Sequence, residues 1–115
     1  MKIEKFEDIL AWQKAKILTF KIYSLLKGLK DLAFRDQICR ASVSIMNNIA
    51  EGFERKSDKE FIHFLFIAKG SCGEVRSMLY LAIGLNYIDD EQYLDLNNLS
   101  IEVSKMLSGL IKTLQ

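Results

Sequence analysis

The sequence contains no proline and few of the residues that build reactive or cross-linked small proteins. Its 115 residues include two cysteines, one histidine and six glycines. Turn-rich β proteins generally need proline, so its absence favours a mostly helical chain. Two cysteines are too few for a disulfide framework. Cys39 and Cys72 instead lie among apolar residues, as structural thiols of a reducing compartment do.

A large charge excess and a long apolar run are also missing. Sixteen basic and fifteen acidic side chains leave a net charge of +1, which argues against a dedicated electrostatic nucleic-acid binder. No apolar run approaches the roughly 20 residues that cross a bilayer, and the first residues contain no apolar signal core. We therefore expect one cytoplasmic domain over residues 1–115, with no membrane partner.

The chain offers no recognisable catalytic or metal-binding set. His63 is the only histidine, whereas a di-metal site in a bundle core needs a Glu-x-x-His pair on each of two helices. The segment Gly70-Ser-Cys-Gly73 falls inside a predicted helix, where small residues permit close helix contact. We predict that the protein is not an enzyme and holds neither metal nor cofactor. The alternative is an enzyme with a catalytic carboxylate and a polar helper, which a metal or ligand bound between Glu51 and Gln13 would support.

Apolar residues recur at helical spacing in four segments, which predicts four helices. In the first half of the chain, Asp8 is the expected cap of a helix that runs to about Lys27. Asp31 is the expected cap of a second helix that runs to about Glu54.

The second half of the chain carries two capping patterns. Ser57 and Glu60 have the spacing of a capping box and open a third helix that ends near Gly84. Asp89 and Gln92 open a fourth helix that continues almost to the carboxyl end. Connections this short predict an all-α fold, an antiparallel up-down-up-down four-helix bundle.

The second and third helices each carry two apolar rows, although a lone bundle needs only one stripe per helix. A thick core would account for the surplus, but a subunit interface is the reading we favour. The candidate interface residues lie in the second row of each helix, and we call these the second rows: Val43, Met46, Ala50, Phe53, Phe64, Ile67 and Met78.

Polar residues on these apolar helices need partners. Residues at equal distance from a turn lie at equal height on antiparallel helices, since each residue rises about 1.5 Å. This counting predicts a buried, hydrogen-bonded cluster of Gln13, Asn48 and Glu51. It also predicts an ion pair between Arg40 and Glu74. We interpret these groups as structural rather than catalytic.

Basic residues concentrate at the turn between the second and third helices, where Arg55, Lys56 and Lys59 lie. A solvated turn is one interpretation. The functional interpretation is a rim that contacts phosphate groups and is repeated in an oligomer. Glu51, Glu54, Asp58 and Glu60 lie in the same region and weaken its positive field.

Several blocks together resemble one family. Residues 6–15 (FEDILAWQKA), 37–52 (QICRASVSIMNNIAEG), 85–88 (LNYI) and 106–111 (MLSGLI) are similar to the four-helix-bundle proteins encoded in intervening sequences of bacterial 23S ribosomal RNA genes. The third helix has the family's pattern at Phe61, Phe64-Leu65, Ile67-Ala68, Gly70-Ser71 and Glu74.

The resemblance implies a homopentameric ring or barrel. A protein of the same fold, the accessory variability determinant of diversity-generating retroelements, is implicated in binding nucleic acid and a reverse transcriptase. The leading hypothesis is therefore a non-enzymatic oligomeric protein that associates weakly with RNA, DNA or a nucleic-acid enzyme. The alternative is an assembly scaffold for a protein partner that binds no nucleic acid.

Overall fold

The computed structural model describes residues 3–115, so Met1 and Lys2 of the predicted domain lie outside the described part. A short 3-10 turn at Phe6–Asp8 precedes four α-helices, and residues 3–115 form no strand. The helices are α1 (Leu10–Leu25), α2 (Leu32–Phe53), α3 (Asp58–Gly84) and α4 (Asp90–Leu114). The predicted all-α four-helix bundle is confirmed.

Three of the four predicted helix starts are confirmed by their caps. The carboxylate of Asp31 accepts a hydrogen bond from the Phe34 amide at 3.2 Å. The Ser57 hydroxyl accepts one from the Glu60 amide at 3.2 Å. Asp89 forms a complete capping box with Gln92.

The predicted start of the first helix is wrong. Asp8 ends the 3-10 turn, and Ile9 occupies the cap position of α1 without a side-chain hydrogen bond. Ile9 is instead almost fully buried. This helix start is therefore fixed by an apolar contact with the core rather than by a polar cap.

The core is made by one buried apolar face of each helix. Each of α1 and α3 packs against both α2 and α4, so α1 and α3 occupy diagonal corners of the bundle. Long side chains that are almost completely buried fill its centre: Leu18, Ile22, Ile38, Ile45, Ile49, Leu65, Leu79 and Leu107. No helix within residues 3–115 is long and apolar enough to cross a membrane.

The α1–α2 and α3–α4 connections are tied together at one end of the bundle. The Tyr87 hydroxyl donates a 2.6 Å hydrogen bond to Asp31, and the Tyr87 ring packs edge-on against Phe34. This bond lowers the pKa of Asp31, and the Phe34 amide adds to the effect. Asp31 therefore caps α2 and also joins two connections that are distant in sequence.

Candidate functional site

The predicted polar cluster does not form. Gln13 is exposed and donates to the backbone oxygen of Glu7 at 2.9 Å. Asn48 is half-buried and donates to the backbone oxygen and the hydroxyl of Ser44, at 2.8 and 3.0 Å. Glu51 is exposed and pairs with Arg55 on the next turn. The three side chains therefore bond to neighbours in their own part of the chain.

Gln13 and Asn48 lie at the same height on α1 and α2, but their side chains point in different directions. The Thr19 hydroxyl of α1 shares its proton between the Ala15 backbone oxygen at 2.8 Å and the Ser42 backbone oxygen of α2 at 3.2 Å. Gln13 lies six residues before Thr19 and Asn48 six after Ser42, so the predicted level is right. Gln13 follows buried Ala11 by two residues, or about 200° around the helix axis. It therefore points away from the core of the bundle.

The predicted ion pair between Arg40 and Glu74 is also wrong. Both residues are exposed, and no ion pair joins them. Glu74 accepts a hydrogen bond from the Gln37 amide at 3.2 Å, one turn away from Arg40. Beside this bond, the hydroxyls of Ser44 and Ser71 are 2.9 Å apart. Within the described residues, α2 and α3 are therefore joined by two side-chain hydrogen bonds, only one of which involves a carboxylate.

A buried polar layer that we did not predict crosses the middle of the bundle. Each helix contributes one small polar side chain, namely Thr19, Ser42, Cys72 and Ser100, and all four are buried. The Cys72 thiol donates to the Ser100 backbone oxygen at 3.1 Å, and the Ser100 hydroxyl donates to the Leu96 oxygen at 2.8 Å. Because every hydroxyl and thiol has an acceptor, the layer is a structural feature.

The two cysteines are unsuited to reaction chemistry. Both are free and buried. Burial raises the pKa of the Cys72 thiol to about 11, against an opposing effect of the Arg76 guanidinium. Burial raises the pKa of Cys39 as well. Residues 3–115 contain no group of three or more His, Cys, Asp or Glu side chains placed to hold a metal ion.

The candidate rim is exposed but only partly available. The Arg55 guanidinium pairs with Glu51 and stacks 4.7 Å from the centre of the Phe64 ring. Lys56 and Lys59 are exposed and form no ion pair with the residues described. Two of the three predicted cations therefore remain for an external anion.

The candidate interface rows are largely covered within one chain. Of the seven predicted residues, only Ile67 is exposed, with 40% of its surface accessible, and the other six are half-buried. Met46, Phe53 and Met78 pack against the core. The second rows therefore thicken the core, and the interface assigned to them stays a prediction.

The fold and these contacts define an all-α four-helix bundle. Residues 7–109 match the model of the family described as 23S rRNA-intervening sequence protein. The chain therefore belongs to this family, as the sequence blocks indicated.

One solved structure of similar fold is a protein of unknown function from the S23 ribosomal protein family of Bacteroides thetaiotaomicron VPI-5482. It is 34% identical to this chain, with a TM-score of 0.84, and the match covers 90% of this chain and 99% of that chain. The comparison with curated proteins finds no significant match.

Proposed function

We propose that this protein is a non-enzymatic scaffold that assembles from antiparallel four-helix bundles into a homo-oligomeric ring. The number of subunits, five, comes from the family resemblance. The observation that carries the proposal is the presence of two exposed apolar faces on diagonal helices. We place the interface on these faces, which include the exposed candidate Ile67 but none of the six half-buried candidates.

The first face lies on α1. Leu10, Ile17 and Phe20 are 62%, 41% and 69% exposed, although each is a large apolar residue within a regular helix. Exposed apolar side chains grouped on one helix mark an interaction surface more often than isolated ones do.

The second face lies on α3. Four large apolar residues of this helix are between 40% and 62% exposed. Phe66 and Ile67 form one pair, and Tyr80 and Leu81 form a second pair further along the helix. Gly70 and Gly73 lie between these two pairs, and a Cβ atom at either glycine would meet nothing within 4 Å. Packing within one chain thus does not require these glycines, whereas a second helix can approach closely where side chains are absent.

The two faces differ in sequence and lie on diagonal helices. We therefore propose that the α1 face of one copy packs against the α3 face of the neighbouring copy. Such head-to-tail contact produces a closed ring when the rotation between copies closes, and an open filament when it does not. A two-fold dimer, in contrast, would use one self-complementary face.

Light scattering after size exclusion tests this arrangement. We expect the wild type to have a mass several times the 13.2 kDa of one chain. Phe20→Glu and Phe66→Glu should each give folded monomers, because a charge cannot be buried unpaired in an apolar contact. Leu32→Glu is the matched control, since Leu32 is 54% exposed but belongs to neither face.

Mixing the two disrupted variants tests the head-to-tail geometry. Phe66→Glu keeps the α1 face and Phe20→Glu keeps the α3 face, so one intact contact should form and yield a one-to-one dimer. Two faces that each pair with themselves would give no such dimer. A monomeric wild type at micromolar concentration would refute the scaffold itself.

For nucleic acid, we propose weak phosphate-backbone contact by the rim of Arg55, Lys56 and Lys59, repeated around the assembly. Such binding is expected to be no tighter than micromolar at physiological salt and to weaken steeply as salt rises. A gel shift with structured RNA should show weaker binding by the triple alanine variant of these residues. If the assembled wild type binds no RNA at low salt, the alternative of a scaffold for a protein partner is supported.

A further inference from the structure

A cavity of about 330 Å³ lies between the end of α1 and the first three turns of α2, away from the candidate rim. Its walls come from the last turn of α1, the following connection and α2: Tyr23, Lys27, Arg35, Asp36, Cys39 and Arg40. Three cations and one carboxylate thus line one small space. The cavity at the α2–α3 turn also has one carboxylate, Asp58, in its wall, but only two cations, Arg55 and Lys56.

Arg35 is held in place by the protein itself. Its guanidinium donates to the Lys27 backbone oxygen at 3.2 Å and lies 3.8 Å from the Asp36 carboxylate. Through these contacts Arg35 stabilises the α1–α2 connection. They also fix a guanidinium on the cavity wall without neutralising the other two cations.

The positions of Lys27 and Arg40 are not explained by contacts of this kind. Neither forms an ion pair with any described residue. Asp36 and Arg40 are four residues apart on α2, the usual spacing for an ion pair, yet the carboxylate pairs with Arg35 instead. One carboxylate, Asp36, does not balance three cations around the same cavity, and guanidinium groups match the geometry of phosphate oxygens.

Tyr23 adds a flat apolar surface to the same cavity. Tyr23 is 50% exposed, and Cys39, which lines the same cavity, is buried. An exposed aromatic ring next to cations is the combination that holds a base by stacking and its phosphate by charge.

We propose that this cavity binds a phosphate group attached to a planar base, with Lys27, Arg35 and Arg40 around the phosphate and the base on Tyr23. The ligand is either a free nucleotide or a nucleotide of an unpaired strand, which share this chemistry. The site uses none of the rim residues and does not depend on subunit assembly.

An amide NMR titration of the wild-type protein with adenosine monophosphate at low salt locates the site directly. We expect the largest shifts at Tyr23, Lys27, Cys39 and Arg40. Inorganic phosphate should shift the same cationic residues more weakly, and adenosine without phosphate should bind much more weakly than the nucleotide. Absence of shifts at low salt, or shifts centred on Arg55, Lys56 and Lys59, would overturn the proposal.

Charge-neutral variants then test the cations. Lys27→Gln and Arg40→Gln should each weaken nucleotide binding by about tenfold, the typical loss of one charge-assisted hydrogen bond. Lys59→Gln removes the same charge at the other turn and should leave affinity within about twofold. Equal loss in all three variants would mean general attraction to positive charge and would overturn the site.

Tyr23→Leu and a short single-stranded RNA complete the test. The leucine variant should weaken binding of the nucleotide but not of inorganic phosphate. If both ligands lose affinity equally, Tyr23 does not bind the base by stacking. Binding of the RNA at least tenfold tighter than the nucleotide, with the same sensitivity to Arg40→Gln, assigns the site to a strand. Equal affinity assigns it to a free nucleotide.

Discussion

Replacing Gly52 with alanine should destabilise the bundle, although alanine is the better helix former. Gly52 is buried near the end of α2. A Cβ atom there would lie 2.7 Å from the Phe64 Cβ, 3.0 Å from the Phe61 ring and 3.3 Å from the Phe61 backbone oxygen. Two of these three neighbours belong to or adjoin the backbone of α3, so a rotamer change cannot relieve the contact. The helix itself has to move.

The magnitude follows from two opposing terms. Overpacking of this kind costs about 1–3 kcal/mol, and a neighbour this rigid places Gly52 in the upper part of that range. Alanine in place of glycine returns about 1 kcal/mol of helix propensity. We therefore expect a net loss of about 1–2 kcal/mol in the free energy of unfolding, or a fall of about 4–8 °C in Tm for a chain of this length.

Urea and thermal unfolding followed by circular dichroism measure this loss. Gly109→Ala is the matched control, because Gly109 is exposed on α4 and a Cβ atom there meets nothing within 4 Å. It should be neutral or stabilising by up to about 1 kcal/mol. All variants are compared at one protein concentration, since assembly adds to apparent stability. If both substitutions stabilise equally, the close approach of α2 and α3 at Gly52 is not a constraint.

Three further outcomes follow from single side chains. The pKa of Asp31 is lowered in the folded state by Tyr87, so stability should fall as pH drops through that folded pKa, and Asp31→Asn should flatten this acid dependence in melting curves. Asp89→Ala removes the cap of α4 and should lower the free energy of unfolding in urea by about 1 kcal/mol. Asp90→Ala, in the first turn of α4, is the control and should not cause this loss. Cys72 should resist a thiol reagent at pH 8 until the protein unfolds, and rapid labelling would contradict its burial.

The sequence by itself determined the helices and their relative heights. Apolar spacing and the caps Asp31, Ser57 and Asp89 define three helix starts to within a residue. The short turns set which residues are level, and the bond between Thr19 and Ser42 agrees with that register. These properties are local or accumulate linearly along the chain, so they can be counted.

Only the tertiary structure decided which level residues face one another. Gln13 and Asn48 share a height but not a direction, because the rotation of each helix is set by the packing of its whole apolar face. The same holds for Gly52, which nothing in the sequence separates from the other glycines until Phe61 and Phe64 lie against it. The cavity of Lys27, Arg35 and Arg40 likewise depends on how the end of α1 meets α2, a relation between two rotated helices that spacing along one helix does not contain.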